Sequence, residues 1–306
     1  MVERGHKPDA LAVAHTTDIG HASGVSIESD RVKLSLPSGE SAEILLYGAT
    51  VISWKAGGEE KLFLSDKAKL DGTKAIRGGI PLVFPVFGKT TEGPTAALPQ
   101  HGFARISKWE LLGKTSESNT SVQVDFGLGP ENLTVDARKQ WPYDFGLIYS
   151  VVLGKTSLET KMLVRNEGGE SFDFNVLFHT YLRVPDVTTV SVSGLKGVTY
   201  KDKVLKGAMA TEESESVTIA AEVDRAYENV PGAVTVNADG KTLFKVERTN
   251  LEDVVVWNPW EGASGMADFG PADGYKNMLC VEAGAVANWH TLETQNVWEC
   301  GVTVHI

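Results

Sequence analysis

The sequence predicts an all-β protein whose antiparallel sheets pack as a sandwich or barrel. Short alternating or β-branched runs are separated by glycine, proline and asparagine, a pattern typical of strands and turns. No segment sustains an apolar helical period over several turns, which argues against alternating strands and helices. The 306 residues contain neither repeats nor a linker-like stretch. We therefore expect one large domain over residues 25–306, preceded by a polar extension over residues 1–24.

Several runs have the alternation or β-branched content of strands. In chain order they are SVQVDFGL (121–128), LIYSVVLG (147–154), LETKMLVRN (158–166), VTTVSVSGL (187–195), SVTIAAEV (216–223) and GVTVHI (301–306). Before the last of them, Asp239-Gly240 separates two further extended runs. Asp-Gly between such runs is a strong hairpin signal, so we expect a β-hairpin there.

A histidine lies in the stretch FDFNVLFHTYLRVPD, residues 172–186. Side chains of an extended strand alternate between its two faces. One face is apolar and is expected to meet the core: Phe172, Phe174, Val176, Phe178, Thr180 and Leu182. The other is more polar than a core and more aromatic than a solvated surface: Asp173, Asn175, Leu177, His179, Tyr181 and Arg183. Either His179 is hydrogen-bonded on an ordinary solvated face, or this face lines a groove.

A carboxylate closes another apolar run, NMLCVEAGAV. Alternation puts Glu282 on the face opposite the apolar one, which consists of Leu279, Val281 and Ala283. A single glutamate at the end of a strand is usually just solvated. Paired with His179 in one groove, however, Glu282 would supply a general acid and base without a metal or a nucleophile. Such a pair suits proton transfer at a sugar hydroxyl and ring oxygen.

Residues 71–110, here called the basic segment, have a local excess of positive charge in a chain of net charge -11. Within it, RGGIPLVFPVFG places Arg77 before a Gly-Gly pair that permits close backbone approach. A second motif, PQHGFAR, supplies Gln100, His101 and Arg105. Two arginines on neighbouring loops can bind a phosphate dianion together, because each guanidinium can donate two parallel hydrogen bonds to its oxygens. Alternatively, both arginines are surface residues paired with acids.

Composition and short motifs exclude several classes of protein. The acidic chain has no run of lysine and arginine, so no nucleic-acid partner is expected. No apolar run is long enough to span a membrane, and the start lacks a signal-peptide core, which predicts a cytoplasmic protein without a membrane partner. Cys280 and Cys300 are too few for a disulfide scaffold and are expected to be reduced thiols. Neither a His-x-x-His nor a Cys-x-x-Cys metal pair is present, and FGKT lacks the first glycine of a P-loop.

Several segments together resemble one protein family. They are YGATVISW, RGGIPLVFPVFG, PQHGFAR, FHTYLRV, WNPW and CVEAG. In this combination they are similar to the hexose-6-phosphate mutarotases, or glucose-6-phosphate 1-epimerases, of the aldose 1-epimerase superfamily. The resemblance runs from about residue 25 to the C-terminus and implies a large antiparallel β-supersandwich with its site in the concave face. We expect a monomer that needs no metal or other cofactor.

The resemblance also implies a role for each candidate residue. His179 falls on the family's catalytic histidine, which protonates the ring oxygen, and Glu282 on the base that deprotonates the C1 hydroxyl. The family's substrate-binding positions correspond to Arg77, Gln100, Arg105 and Asp224, with His101 near the ring as a second polarising group. The two arginines suit the 6-phosphate. Asp224, in EVDRAY, is expected to hold sugar hydroxyls.

The expected activity is interconversion of the α and β anomers of a hexose 6-phosphate by ring opening and reclosure. One alternative is an aldose 1-epimerase for unphosphorylated sugars, which would leave Arg77 and Arg105 without a dianion to bind. Another is a non-catalytic sugar-phosphate binding protein, which would not need a paired acid and base. Conversion of glucose 6-phosphate beside glucose distinguishes the three.

Overall fold

The computed structural model describes residues 24–306, so the polar extension expected over residues 1–24 lies outside the described residues apart from Gly24. The β-strands, in chain order, are β1 Gly24–Glu28, β2 Arg31–Ser35, β3 Ser41–Leu45, β4 Val51–Ala56, β5 Glu59–Glu60, β6 Leu82–Val83, β7 Glu110–Ser118, β8 Ser121–Leu128, β9 Phe145–Gly154, β10 Ser157–Asn166, β11 Phe172–Phe178, β12 Tyr181–Arg183, β13 Val190–Ser193, β14 Thr199–Asp202, β15 Ala208–Thr211, β16 Ser216–Thr218, β17 Val223–Tyr227, β18 Val234–Ala238, β19 Lys241–Thr249, β20 Asp253–Asn258, β21 Met278–Leu292 and β22 Val297–His305.

Helical segments are short. Within the described residues, the one α-helix is α1 Val135–Gln140, which begins after Thr134, whose side chain accepts a hydrogen bond from the N–H of Ala137. The 3₁₀ helices of the same part of the chain are Ala104–Ile106, Pro130–Asn132, Val187–Thr189, Trp260–Gly265 and Gly274–Asn277. None of the helices described has the length and apolar character that crossing a bilayer requires.

The strands form three sheets. The first has five strands in the order β1-β2-β3-β4-β5, and the second has nine in the order β16-β13-β18-β19-β22-β10-β9-β8-β7. The third has eight, in the order β15-β14-β17-β20-β21-β11-β6 with β12 paired to β21. All strand pairs of these sheets are antiparallel. The sheets are open, with edge strands such as β7 and β15, so the architecture is a sandwich rather than a closed barrel.

The main hydrophobic core lies between the nine-stranded and eight-stranded sheets. Tyr149 of β9 contacts Phe178 of β11 across it, with ring centroids 6.2 Å apart. The inward residues of the long strands are fully buried, as in β8, where buried and half-buried residues alternate. Each large apolar side chain buried in this way contributes about 1.5–3 kcal/mol. One face of the eight-stranded sheet is thereby committed to the core, and its opposite face, here called the site face, carries the polar side chains described below.

The segment that carries the histidine is two strands rather than one. β11 ends at Phe178, and β12 begins at Tyr181. Between them, the N–H of His179 donates to Pro81 O, 3.0 Å away, which continues the pairing of β11 with β6. The expected alternation survives this break, since Phe178 before it and Leu182 after it both belong to the main core. His179 is only 9% exposed, so the alternative of a solvated histidine on an ordinary strand face is wrong.

The turn at Asp239-Gly240 joins β18 to β19 as the sequence predicts. Both residues have positive φ angles, 51° for Asp239 and 73° for Gly240. Hairpin turns of this class need left-handed backbone at both central positions, which explains the preference for Asp-Gly. The local sequence alone therefore specifies this hairpin.

Candidate active site

His179 and Glu282 meet on the site face. β21 buries Leu279, Val281 and Ala283 in the main core, so alternation directs Glu282 to the opposite side of the sheet. There, Nδ1 of His179 lies 3.3 Å from Oε1 of Glu282. Two residues far apart in sequence are thus within proton-transfer distance of each other.

Burial disfavours the charged forms of both groups. Glu282 is 2% exposed, and burial raises the pKa of its carboxyl well above the ordinary value, an effect that Lys203 opposes and Asp224 reinforces. Burial likewise holds the pKa of His179 well below its ordinary value, and the neighbouring His101 and cations act in the same direction. Oε2 of Glu282 is buried and has no hydrogen-bond partner within residues 24–306. Burial therefore favours the neutral forms of both groups.

His101 is a neutral hydrogen-bond donor held in an unusual backbone conformation. Its φ angle is 66°, a left-handed value that non-glycine residues adopt mostly where surrounding contacts enforce it. Two hydrogen bonds to Gly88 do so: the N–H of His101 donates to Gly88 O at 2.7 Å, and Nδ1 accepts from the N–H of Gly88 at 3.2 Å. Burial, reinforced by nearby cations, lowers the pKa of His101 to about 3. Because Nδ1 accepts, the proton of the neutral ring lies on Nε2.

Two glycines of the basic segment permit close backbone approaches, Gly79 to β4 and Gly102 to the residue that follows β6. A Cβ atom on Gly79 or on Gly102 would lie 2.1 Å from a backbone carbonyl oxygen, and both have left-handed φ angles, 67° and 71°. Only glycine permits such an approach. The Gly-Gly and His-Gly pairs of the two motifs thus place Arg77 and His101 at the site.

The guanidinium of Arg77 is already engaged by the protein. Its Nε and Nη2 donate to the carboxylate of Asp268, at 3.2 and 3.4 Å, and its Nη1 donates to the hydroxyl of Tyr181 at 3.2 Å. The Tyr181 ring in turn stacks on His179, with centroids 4.7 Å apart and planes 9° from parallel. Arg77 therefore pairs with an acid, as one of the alternatives held, and it is also linked to His179 through Tyr181.

The guanidinium of Arg105 makes fewer hydrogen bonds to the described residues than that of Arg77. Its Nη2 donates to a backbone carbonyl, Gln100 O, at 2.8 Å, rather than to a carboxylate. The side-chain amide of Gln100 lies 3.3 Å from Nε2 of His101. Burial and the charge of Arg77 lower the pKa of Arg105, although Tyr181 opposes them. A bound anion would relieve both effects, so Arg105 is the cation best prepared for one.

Asp224 lies at the edge of the site face, in an ion pair. Its Oδ1 is 3.2 Å from Nζ of Lys203, and its carbonyl oxygen accepts from the N–H of Lys203 at 2.8 Å. The same Nζ lies 4.3 Å from the centroid of the Phe87 ring, a cation–π contact. The site therefore contains a third cation, which sequence reasoning did not identify.

The candidate residues form one connected cluster, but sequence reasoning missed several of its members: Phe87, Tyr181, Lys203, Trp257, Asp268 and Cys280. A signal existed for Tyr181, which alternation places on the same face as His179. Trp257, in the WNPW motif, packs edge-on against the rings of His179 and Tyr181, and each pair of ring centroids is 5.8 Å apart. Lys203 and Asp268 lie outside the strands, where no periodicity marks a residue. Both cysteines are free and buried, as expected of reduced thiols.

Comparisons with known proteins show the family of this chain. The aldose 1-epimerase family model matches residues 30–304. A "Putative glucose-6-phosphate 1-epimerase" of Cenchrus ciliaris is 39% identical over 267 residues, covering 84% of this chain and 78% of that protein. A protein with the same name from Escherichia coli K12 is 34% identical over 259 residues, covering 84% and 82%. The crystal structure of a "putative mutarotase" from Salmonella typhimurium matches with a TM-score of 0.81 and 28% identity over 94% of each chain. This chain therefore belongs to the aldose 1-epimerase family.

Proposed function

We propose that this protein is a glucose-6-phosphate 1-epimerase that interconverts the α and β anomers of hexose 6-phosphates by acid–base ring opening and reclosure. The observation that carries the proposal is the 3.3 Å contact between His179 Nδ1 and Glu282 Oε1 on a buried face. Membership of the aldose 1-epimerase family supports the reaction. The names of the relatives support the phosphorylated sugar.

The pair already holds the protons that this reaction needs. Burial favours a neutral imidazole and a protonated carboxyl, as the pKa directions of His179 and Glu282 indicate. Transfer of the carboxyl proton to Nδ1 gives an imidazolium and a carboxylate with the same total number of protons. The active combination of acid and base is therefore reached inside the pair, without exchange of a proton with water.

Ring opening then uses the two groups in opposite directions. Nε2 of His179 gives its proton to the ring oxygen O5 as the C1–O5 bond breaks, and Glu282 takes the proton of the C1 hydroxyl as the aldehyde forms. Rotation about C1–C2 presents the other face of the aldehyde, and reclosure reverses both transfers. Nε2 of His101, a neutral donor, stabilises charge that develops on a sugar oxygen. Each positioned acid or base contributes on the order of 10² to 10⁴ in rate.

Substrate binding is assigned to the residues around this pair. Arg105 gives the phosphate a charge-assisted fork of hydrogen bonds, and Arg77 adds its charge from a fixed position against Asp268. The chain carries a net charge of -11, so these cations must offset the general repulsion of a dianion. Asp224, held by Lys203, accepts hydrogen bonds from sugar hydroxyls. The exposed amide of Gln100 contacts the sugar beside His101.

The test follows the approach of each pure anomer to equilibrium by NMR, with glucose 6-phosphate and with glucose, for the wild-type protein and two isosteric variants. The wild type should convert glucose 6-phosphate with the higher kcat/KM. His179→Asn and Glu282→Gln should lose most turnover while still binding the sugar phosphate in calorimetry, because shape is kept and proton transfer is lost. Conversion of neither sugar would point to a binding protein. Near-normal turnover by either folded variant would show that its residue has no acid–base role.

A further inference from the structure

We infer that the site face also contains a zinc-binding site formed by His179, Cys280 and Glu282, and that Zn²⁺ bound there excludes turnover. The three side chains are buried, and their ligand atoms all lie within 4.8 Å of one another. Cys280 has no part in the proton transfers assigned above. Its thiol nevertheless points into the same small space as the acid–base pair.

Two of the three distances between the ligand atoms are close to those that zinc requires. Nδ1 of His179 lies 3.3 Å from Oε1 of Glu282 and 3.8 Å from Sγ of Cys280. Ligand atoms at the usual zinc distances and tetrahedral angles are about 3.3–3.6 Å apart. All three ligand atoms lie within 4.8 Å of one another, so side-chain movements would have to bring them together around a zinc ion.

The chemistry of the three ligands also suits zinc. A thiolate, an imidazole and a carboxylate are the groups that this ion binds in proteins. The thiolate and carboxylate together carry two negative charges, which balance Zn²⁺. Binding forms three metal–ligand bonds and releases the thiol proton to solvent, and it likewise releases the proton of a protonated Glu282.

A second observation independently indicates an unmet partner. Glu282 is 2% exposed, and its Oε2 is buried without a hydrogen-bond partner among the described residues. Buried carboxylate oxygens are normally satisfied by a donor or an ion. His179, Cys280 and Glu282 leave the fourth zinc position to water or to a sugar oxygen.

Zinc bound in this way removes the groups that the reaction uses. The metal takes the lone pair of His179 Nδ1 and the carboxylate of Glu282, so the proton can no longer pass between them. Zinc should therefore lower kcat, and a chelator should restore it. This inhibition rests on the proposed function, whereas metal binding itself does not.

The binding test uses Co²⁺ as a spectroscopic probe on metal-free protein without any sugar. The wild type should show a sulfur-to-cobalt charge-transfer absorption that saturates at one Co²⁺ per chain and that Zn²⁺ displaces. Cys280→Ala should lose this absorption, and Cys280→Ser serves if the alanine variant is unstable. The matched control is Cys300→Ala, which removes a buried free thiol on β22 and should leave the absorption unchanged.

The activity test measures the Zn²⁺ concentration for half-inhibition, with each variant compared with its own uninhibited rate. Cys280→Ala should raise that concentration by at least about tenfold, and Cys300→Ala should not change it. Mg²⁺, which prefers oxygen ligands, should not inhibit. Absence of the cobalt absorption in the wild type, or its persistence in Cys280→Ala, would overturn the site. Cobalt binding by a protein that converts neither sugar would instead refute the proposed function alone.

Discussion

Arg105→Ala should weaken the preference for a phosphorylated sugar far more than it weakens the reaction itself. In the structure, Nη2 of Arg105 donates one hydrogen bond to Gln100 O, and the other N–H groups of the guanidinium can donate to a ligand. Arg77 differs, because its Nε, Nη1 and Nη2 all donate to protein groups. The phosphate preference is therefore expected to depend mainly on Arg105.

The expected size follows from the lost contact. A charge-assisted, bidentate hydrogen bond costs about 2 kcal/mol or more when it is removed. At 1.36 kcal/mol for each factor of ten, this is about a 30-fold fall in kcat/KM for glucose 6-phosphate. The hydrogen bond to Gln100 is lost for both sugars, so it cancels from the ratio of the two. Arg105→Lys keeps the charge without the fork and should lie between the wild type and alanine.

The assay is kcat/KM for glucose 6-phosphate and for glucose, measured by NMR for each variant. Arg77→Ala should reduce both values, because it frees Asp268 and removes the support of Tyr181 under His179. Arg165→Ala is the control: its side chain is 48% exposed on β10, and both values should stay unchanged. An equal proportional loss for the two sugars in Arg105→Ala would refute the assignment of the phosphate to this residue.

Three further predictions concern the buried pair and the motif glycines. In the presence of a chelator, a plot of kcat against pH should be a broad bell. On the acid limb the pair gains a second proton at His179, whose pKa is held below the ordinary histidine value of 6.5. On the basic limb the pair loses its shared proton from Glu282, whose pKa is raised above the ordinary glutamate value of 4.5. A narrow optimum between two ordinary pKa values would contradict this. Glu282→Gln should be more stable than the wild type by an amount that grows with pH. The pKa of Glu282 is higher in the folded protein than in the unfolded chain. At a pH below the unfolded pKa, this carboxyl therefore does not lower the free energy of unfolding. Above the folded pKa, it lowers that free energy by about 1.4 kcal/mol for each unit by which the two pKa values differ. Melting curves at pH 4 and pH 8 measure the gain, and an equal gain at both would count against burial as the cause. Gly102→Ala should give little folded protein, since the added Cβ would lie 2.1 Å from a carbonyl oxygen. Gly240→Ala is the control and should fold, because a Cβ added at this exposed turn meets no other group within 4 Å. Circular dichroism compares the two.

The candidate site was predictable from sequence where a residue lies on a strand. Alternation put His179 and Tyr181 on one face of their segment, and it put Glu282 opposite the core-facing residues of β21. Alternation gives the face but not the neighbouring strand, so the 3.3 Å contact between His179 and Glu282 could be expected only through the family resemblance. Lys203 could not be found in either way. It follows the end of β14, where no period applies, and only the pairing of β14 with β17 brings it to Asp224.

The sequence by itself determined the all-β class, the hairpin at Asp239-Gly240 and the strand faces, because these depend on side-chain period and on local backbone preference. The tertiary structure decided the order of strands in three sheets, the break between β11 and β12, and the pairing of Arg77 with Asp268 rather than with solvent. It also decided the protonation of the pair. A carboxyl and an imidazole have ordinary pKa values in an unfolded chain, and only burial on the site face raises one and lowers the other.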